Sequence, residues 1–242
     1  MGNSASELVP QKTINAMVIG PPLAGKSTFI KSCHSTFTDD SSDPTSVTPG
    51  SQQLCPLGNY NNKGINLIGI PSIAKDCGEE SQNAIKYCAT GYRSHNIVID
   101  GKWTLNEEAE YHQAMVFPNV ALVLLPDYWV MNRKQTTKWL FRSYYTISIS
   151  ESAKTFINNI TQVLESSNPR IRPVFIVPKL DVITYETGYS EKQILAKFME
   201  WGNNNAISSL ENNTFFVNSK KPDKKKLAKI LNQASYLVDG LP

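Results

Sequence analysis

Apolar residues in this chain gather in short blocks separated by polar segments rich in Gly, Pro, Asp and Ser. The block ending at Gly20 (Ile14, Ala16, Met17, Val18, Ile19), and those at 65–70, 120–125, 173–177 and 214–217, are brief and rich in β-branched residues, which predicts strands. The run 120–125, VALVLL, is almost without polar interruption, the pattern of a parallel strand buried on both faces. Between these blocks the apolar spacing changes to that of helices, at 28–36, 79–92, 107–116, 150–166, 190–201 and 223–237. In 150–166 the stripe is Ala153, Phe156, Ile157, Ile160 and Leu164. A further strand is predicted at 52–57, a turn at 59–64 and a short strand-like run at 97–99. Segment 38–50 reads as a polar loop, and 128–149 as an insertion without an assignable period. Strands alternating with helices predict an α/β fold: a doubly wound, mostly parallel six-stranded sheet with helices on both faces.

Composition narrows this little. The chain has 242 residues, enough for one buried core, and 40% hydrophobic residues. A net charge of +3 is too small to argue for a nucleic-acid partner. Cys33, Cys55, Cys77 and Cys88 form no C-x-x-C pair, so reduced thiols of a cytoplasmic protein are expected rather than zinc or disulfides. No apolar run approaches the roughly 18 to 20 residues of a spanning helix.

The chemistry is concentrated after the first strand. Gly20, four residues, then Gly25, Lys26 and Ser27 complete the G-x-x-x-x-G-K-[ST] phosphate-binding loop, with a helix-compatible stretch following. In such a loop, backbone N–H groups and the positive end of the following helix converge on a phosphate. Lys26 reaches the β- and γ-phosphates, and Ser27 ligates a shared Mg²⁺. Leu23, Ala24 and Thr28 complete the set of nucleotide-binding candidates. At Leu23 many such loops have Gly, and a Cβ strains the tight turn.

The N-terminus, Met1 to Ser6, fits M-G-x-x-x-[ST], which marks Gly2 as a candidate for myristoylation on a flexible segment 1–12. One such chain binds membrane only reversibly, so the expectation is a cytoplasmic, peripherally membrane-associated protein. The basic run Lys220 to Lys226 is better explained as a solvated helix start than as a second membrane signal.

Further along, Pro178-Lys179-Leu180-Asp181 ends the strand 173–177. It resembles the [N/T]-K-x-D motif of GTPases, and Asn218-Ser219-Lys220 resembles their S-A-K element. Asp43-Pro44-Thr45 resembles the D-P-T of the first switch, with Thr45 nineteen positions after Lys26 (45 − 26). On these motifs the chain resembles the Ras-like or Arf-like small GTPase superfamily over most of its length. The resemblance implies one Ras-like P-loop domain over 13–238, with insertions near 77–118 and 128–149. It implies GTP or GDP with Mg²⁺, Asp181 accepting hydrogen bonds from guanine while Lys179 covers the base, Ser219 and Lys220 beside it, and Thr45 joining Ser27 at the metal as the switch residue. Effector or regulatory proteins are the implied partners.

The family's D-x-x-G element is degenerate here. Gly69 stands for the Asp that holds the Mg²⁺ water shell, Ser72 for the Gly at the γ-phosphate, and Ile73 for the Gln that orients water. Asp127 and Asp100, each at the end of an apolar run, are alternative carboxylates for the metal. Weak or absent GTP hydrolysis is expected. Two other readings stay open: a pseudo-GTPase scaffold, and an ATP-dependent P-loop enzyme.

Overall fold

A computed structural model of the chain describes residues 13–38, 53–60, 63–70, 72–89, 117–135, 143–205, 207, 210, 213–218 and 223–239. The expected strand at 97–99 and helix at 107–116 lie outside them. Six strands form the main sheet: β1 (Ile14–Ile19), β2 (Gln53–Tyr60), β3 (Lys63–Gly69), β4 (Val120–Leu124), β7 (Arg172–Val177) and β8 (Thr214–Phe216). Their order is β2-β3-β1-β4-β7-β8. All pairs are parallel except β2–β3 at the edge, so the expected doubly wound α/β sheet is present.

Strand alternation divides the core in two. Ile14, Ala16 and Val18 of β1 face one side with Val120, Leu122 and Leu124 of β4, while Met17 and Ile19 face the other with Ala121 and Val123. On the first side lie α1 (Lys26–Phe37), through Phe29, Ile30 and Cys33, and α6 (Lys224–Asp239), through Leu227, Ile230 and Leu231. The second side takes α2 (Glu79–Ala89), α3 (Glu151–Ser167), α4 (Leu180–Thr187) and α5 (Glu191–Asn204), anchored by Ile85, Phe156, Ile160, Ile183 and Phe198. A parallel sheet covered on both faces explains why its strands read as unbroken apolar runs.

Two elements correct the sequence reading. The segment after β4 is a 3-10 turn, Asp127–Trp129, followed by a hairpin of β5 (Met131–Gln135) and β6 (Ser143–Ile147) that stands outside the main sheet. Its base is closed by Ser148 N–H donating to Val130 O and Ser150 N–H to Trp129 O, at 3.0 and 2.8 Å. Trp129 is buried edge-on against Phe156, ring centroids 5.0 Å apart, and so belongs to the core. The second is α4, a two-turn helix starting inside the K-x-D motif, where Val182, Ile183 and Thr184 give little intrinsic helix signal. Leu180 and Ile183 are buried, and Leu180 N–H donates to Val217 O at 2.9 Å, so tertiary contacts fix it.

Smaller shifts concern boundaries. α1 starts at Lys26 instead of residue 28, and β2 and β3 run to Tyr60 and from Lys63, leaving only 61–62 between them. The cysteines are buried free thiols. Burial pushes Cys55 up to about 11, and Cys77 and Cys88 to about 12.

Candidate nucleotide-binding site

The C-terminal ends of β1, β3, β4, β7 and β8 carry the site, as expected for an open parallel sheet. Gly20 leaves β1 where a Cβ would lie 2.9 Å from Leu124 O, so only glycine lets the loop pass that close to β4. Gly25 then takes φ +83°, which turns the chain into α1. Leu23 takes φ +64° with its side chain 84% exposed. The strain expected of a Cβ there is thus present, at a cost of roughly 1–2 kcal/mol. Ala24 is buried below it, while Ser27 and Thr28 are exposed at the helix start. Among the described residues no side chain caps α1, whose first N–H groups and positive end face the loop.

Lys26 Nζ donates to Gly20 O at 2.7 Å, Pro21 O at 3.2 Å and Ser72 Oγ at 2.8 Å. Burial pulls its pKa down from 10.5 to about 8. An ammonium held in a partly buried loop, with no carboxylate bonded to it among the described residues, suits an anion.

The β3–α2 segment lies against this loop. Ile70 N–H donates to Val18 O and Ile73 N–H to Gly20 O, at 3.4 and 3.3 Å. Ile73, at the position where the family's Gln would stand, is fully buried with Ile70 and Cys77 in the core. An apolar side chain turned inward cannot align water. Among the described residues no group of His, Cys, Asp or Glu could hold a metal ion. Ser27 is the described metal candidate, and Thr45 lies outside the described residues.

The base side is built by three strand ends. A cavity of about 70 Å³ is lined by Thr28 and Phe29 of α1, Pro178 and Lys179 after β7, and Val217 and Asn218 after β8. Lys179 adopts φ +62° and caps α4; its Nζ donates to Asp127 Oδ1 at 2.8 Å. Asp127, 8% exposed, is therefore engaged with the base-side lysine through Oδ1. Asp181 sits in the first turn of α4, next to the cavity-lining Lys179 turn but not in the lining itself. Ser219, Lys220 and Gly2 fall outside the described residues.

The structure thus brings together Gly20, Gly25, Lys26, Thr28 and Lys179, and adds Phe29, Pro178, Val217, Asn218, Asp127 and Ser72. Asn218 belonged to the motif read from the sequence, and Pro178 to the K-x-D tetrapeptide. Phe29, Val217 and Asp127 carried no local signal for the base side. A phosphate-accepting loop continuous through α1 with an apolar cavity fits a nucleotide; the described residues fit magnesium only through Ser27.

No protein-family model and no curated protein matches the chain. Among solved structures 502 chains match. One is the G domain of the T. maritima FeoB iron transporter, at TM-score 0.49 and 9% identity, covering 93% of this chain and 99% of that one. Another is a tyrosine-to-alanine variant of Aquifex aeolicus Era bound to GDP·AlF4⁻, at TM-score 0.49 and 15% identity, covering 96% of this chain and 58% of Era. Its own strand order, its single antiparallel edge pair and the 20–27 loop opening α1 give this chain the fold of a P-loop GTPase domain.

Proposed function

We propose that this protein binds a guanine nucleotide and acts as a regulator or switch with weak or absent GTP hydrolysis. The observation that carries the reading is the continuity of the Lys26 loop with the Phe29–Lys179–Asn218 cavity through α1: a phosphate site and an apolar slot one helical turn apart. Packing of a flat base against the half-exposed Lys179 stem would bury apolar surface, and the cation adds attraction to the π-face of the base. Asp181 is the residue we assign to guanine. A carboxylate satisfies the adjacent N1–H and amino donors of guanine but stands opposite an acceptor in adenine. Mg²⁺ would neutralise phosphate charge from Ser27, with Thr45 as its second candidate. Weak hydrolysis follows from Gly69 and Ile73, which offer neither a carboxylate nor an amide to metal and water. Membrane attachment through acylated Gly2, and effector or regulatory protein partners, belong to the same proposal.

A scaffold that has abandoned nucleotide is the second reading. It is favoured by Lys26, whose three N–H groups all meet protein oxygens. The deciding experiment is to denature the purified protein and separate the released nucleotide by ion exchange beside GTP, GDP and ATP standards. Bound GTP supports the proposal in full, and GDP supports binding with a working hydrolytic site. ATP would move the protein to the ATP-dependent class, and an empty chain that also fails to bind GTP with Mg²⁺ supports the scaffold.

A further inference from the structure

The β5–β6 hairpin has no part in the main sheet, yet it meets the base side of the site twice. It leaves the sheet through the 3-10 turn Asp127–Trp129, whose first residue holds Lys179 Nζ at 2.8 Å. It returns through β6, which packs against α4, the helix that opens with Leu180 and Asp181. Met131 and Ile147 are register partners and so share one face of the hairpin. Both pack against the side of the core that holds Leu180 and Ile183. Ser148 N–H to Val130 O at 3.0 Å and Ser150 N–H to Trp129 O at 2.8 Å then lock the end of the hairpin back onto the turn where it began.

The helix α4 needs such support. Its eight residues make two turns, too few to hold a helix on propensity, and Val182, Ile183 and Thr184 are consecutive β-branched residues. Its N-cap, Lys179, sits at φ +62°, a left-handed conformation that a lysine keeps only where its surroundings enforce it. Leu180 N–H ties the start of α4 to Val217 O at 2.9 Å, and β6 links the helix to the 127–129 turn. We propose that the hairpin is a positioning element for base recognition. By bracing α4 and the Asp127 turn together it sets Asp181 and Lys179 at the mouth of the base cavity, and it has no part in holding phosphate. The proposal rests on the guanine-nucleotide reading above, and Met131 and Ile147 are its positioning residues.

The test measures Kd for GDP, inosine diphosphate and pyrophosphate, each with Mg²⁺, on the full chain as wild type, Ile147→Ala, Met131→Ala/Ile147→Ala and Ile147→Val. Inosine diphosphate lacks the 2-amino group, so wild type is expected to prefer GDP about tenfold or more. Ile147→Ala is expected to cut that preference about threefold and the double variant to bring it within about twofold of none, while pyrophosphate affinity changes less than about twofold in both. Ile147→Val, which keeps most of the packing, retains the wild-type preference. An unchanged preference in Ile147→Ala, or an equal loss for GDP, inosine diphosphate and pyrophosphate, overturns the positioning role and leaves guanine binding intact. A double variant that does not fold leaves the decision to Ile147→Ala. Failure of wild type to bind GDP, or equal binding of GDP and inosine diphosphate by wild type, overturns both this proposal and the base reading beneath it.

Discussion

The loop after β1 and the segment after β3 leave neighbouring strands of one sheet, yet the sequence treats them in opposite ways. At the first, Gly20, Gly25 and Lys26 keep every feature that lets a backbone wrap an anion, even at the expense of a left-handed Leu23. At the second, Gly69 and Ile73 offer no polar side chain and Ile73 is buried in the core, which on the proposed reading leaves the nucleotide without a water-handling group. Binding and hydrolysis draw on different parts. Phosphate binding is mostly backbone geometry plus one lysine, whereas hydrolysis needs particular side chains aimed at metal and water. A chain can therefore keep the first and abandon the second.

The harshest way to break that contrast is Ile73→Gln. Restoring the amide would bury an unpartnered polar group in the core, and we expect a loss of about 2–4 kcal/mol in urea unfolding with no gain in GTP turnover. Rapid turnover by this variant would show that the segment is a silenced switch rather than a packed tie. Next, Lys26→Ala removes the lysine from the phosphate loop. Nucleotide affinity is expected to fall about a hundredfold or more by fluorescence titration.

A pH series sharpens the same point. In the nucleotide-free chain Lys26 titrates at about 8, below its ordinary 10.5, because burial disfavours the ammonium. Its penalty on folding is thus fully present below about pH 8 and relieved between about 8 and 10.5. A bound phosphate holds the proton on, so binding takes up a proton above about pH 8. Affinity should fall about tenfold between about pH 7 and about pH 9, and the Lys26→Ala variant should lack this slope. The smallest effect is expected on the base side. Asp127→Asn keeps shape but weakens the hold on a Lys179 whose side chain is 39% exposed, so affinity should drop by about twofold to fivefold. No change would mean that Lys179 is positioned by its backbone alone.

Local features were readable in advance. The parallel strands announce themselves as apolar runs, α3 by its stripe, and the phosphate loop by the contiguous residues Gly20 to Ser27, whose function is in their own backbone. What escaped was what depended on distant partners. β5, MNRKQ, has no apolar alternation and exists through pairing with β6. α4 is too short and too β-branched to form on propensity and is fixed by Val217 and the core beneath it.

The sequence by itself determined the α/β order, the loop at Gly20–Ser27 and the absence of the usual groups at Gly69 and Ile73, because each is written in adjacent residues. Only the tertiary structure decided that Asp127 meets Lys179 across 52 residues, that Ser72 meets Lys26 across 46, and that Phe29 and Val217 share one cavity. Those are facts of strand order. Parallel crossovers bring the C-terminal ends of β1, β3, β4, β7 and β8 to one edge, and nothing local in the chain specifies which side chains will then face each other.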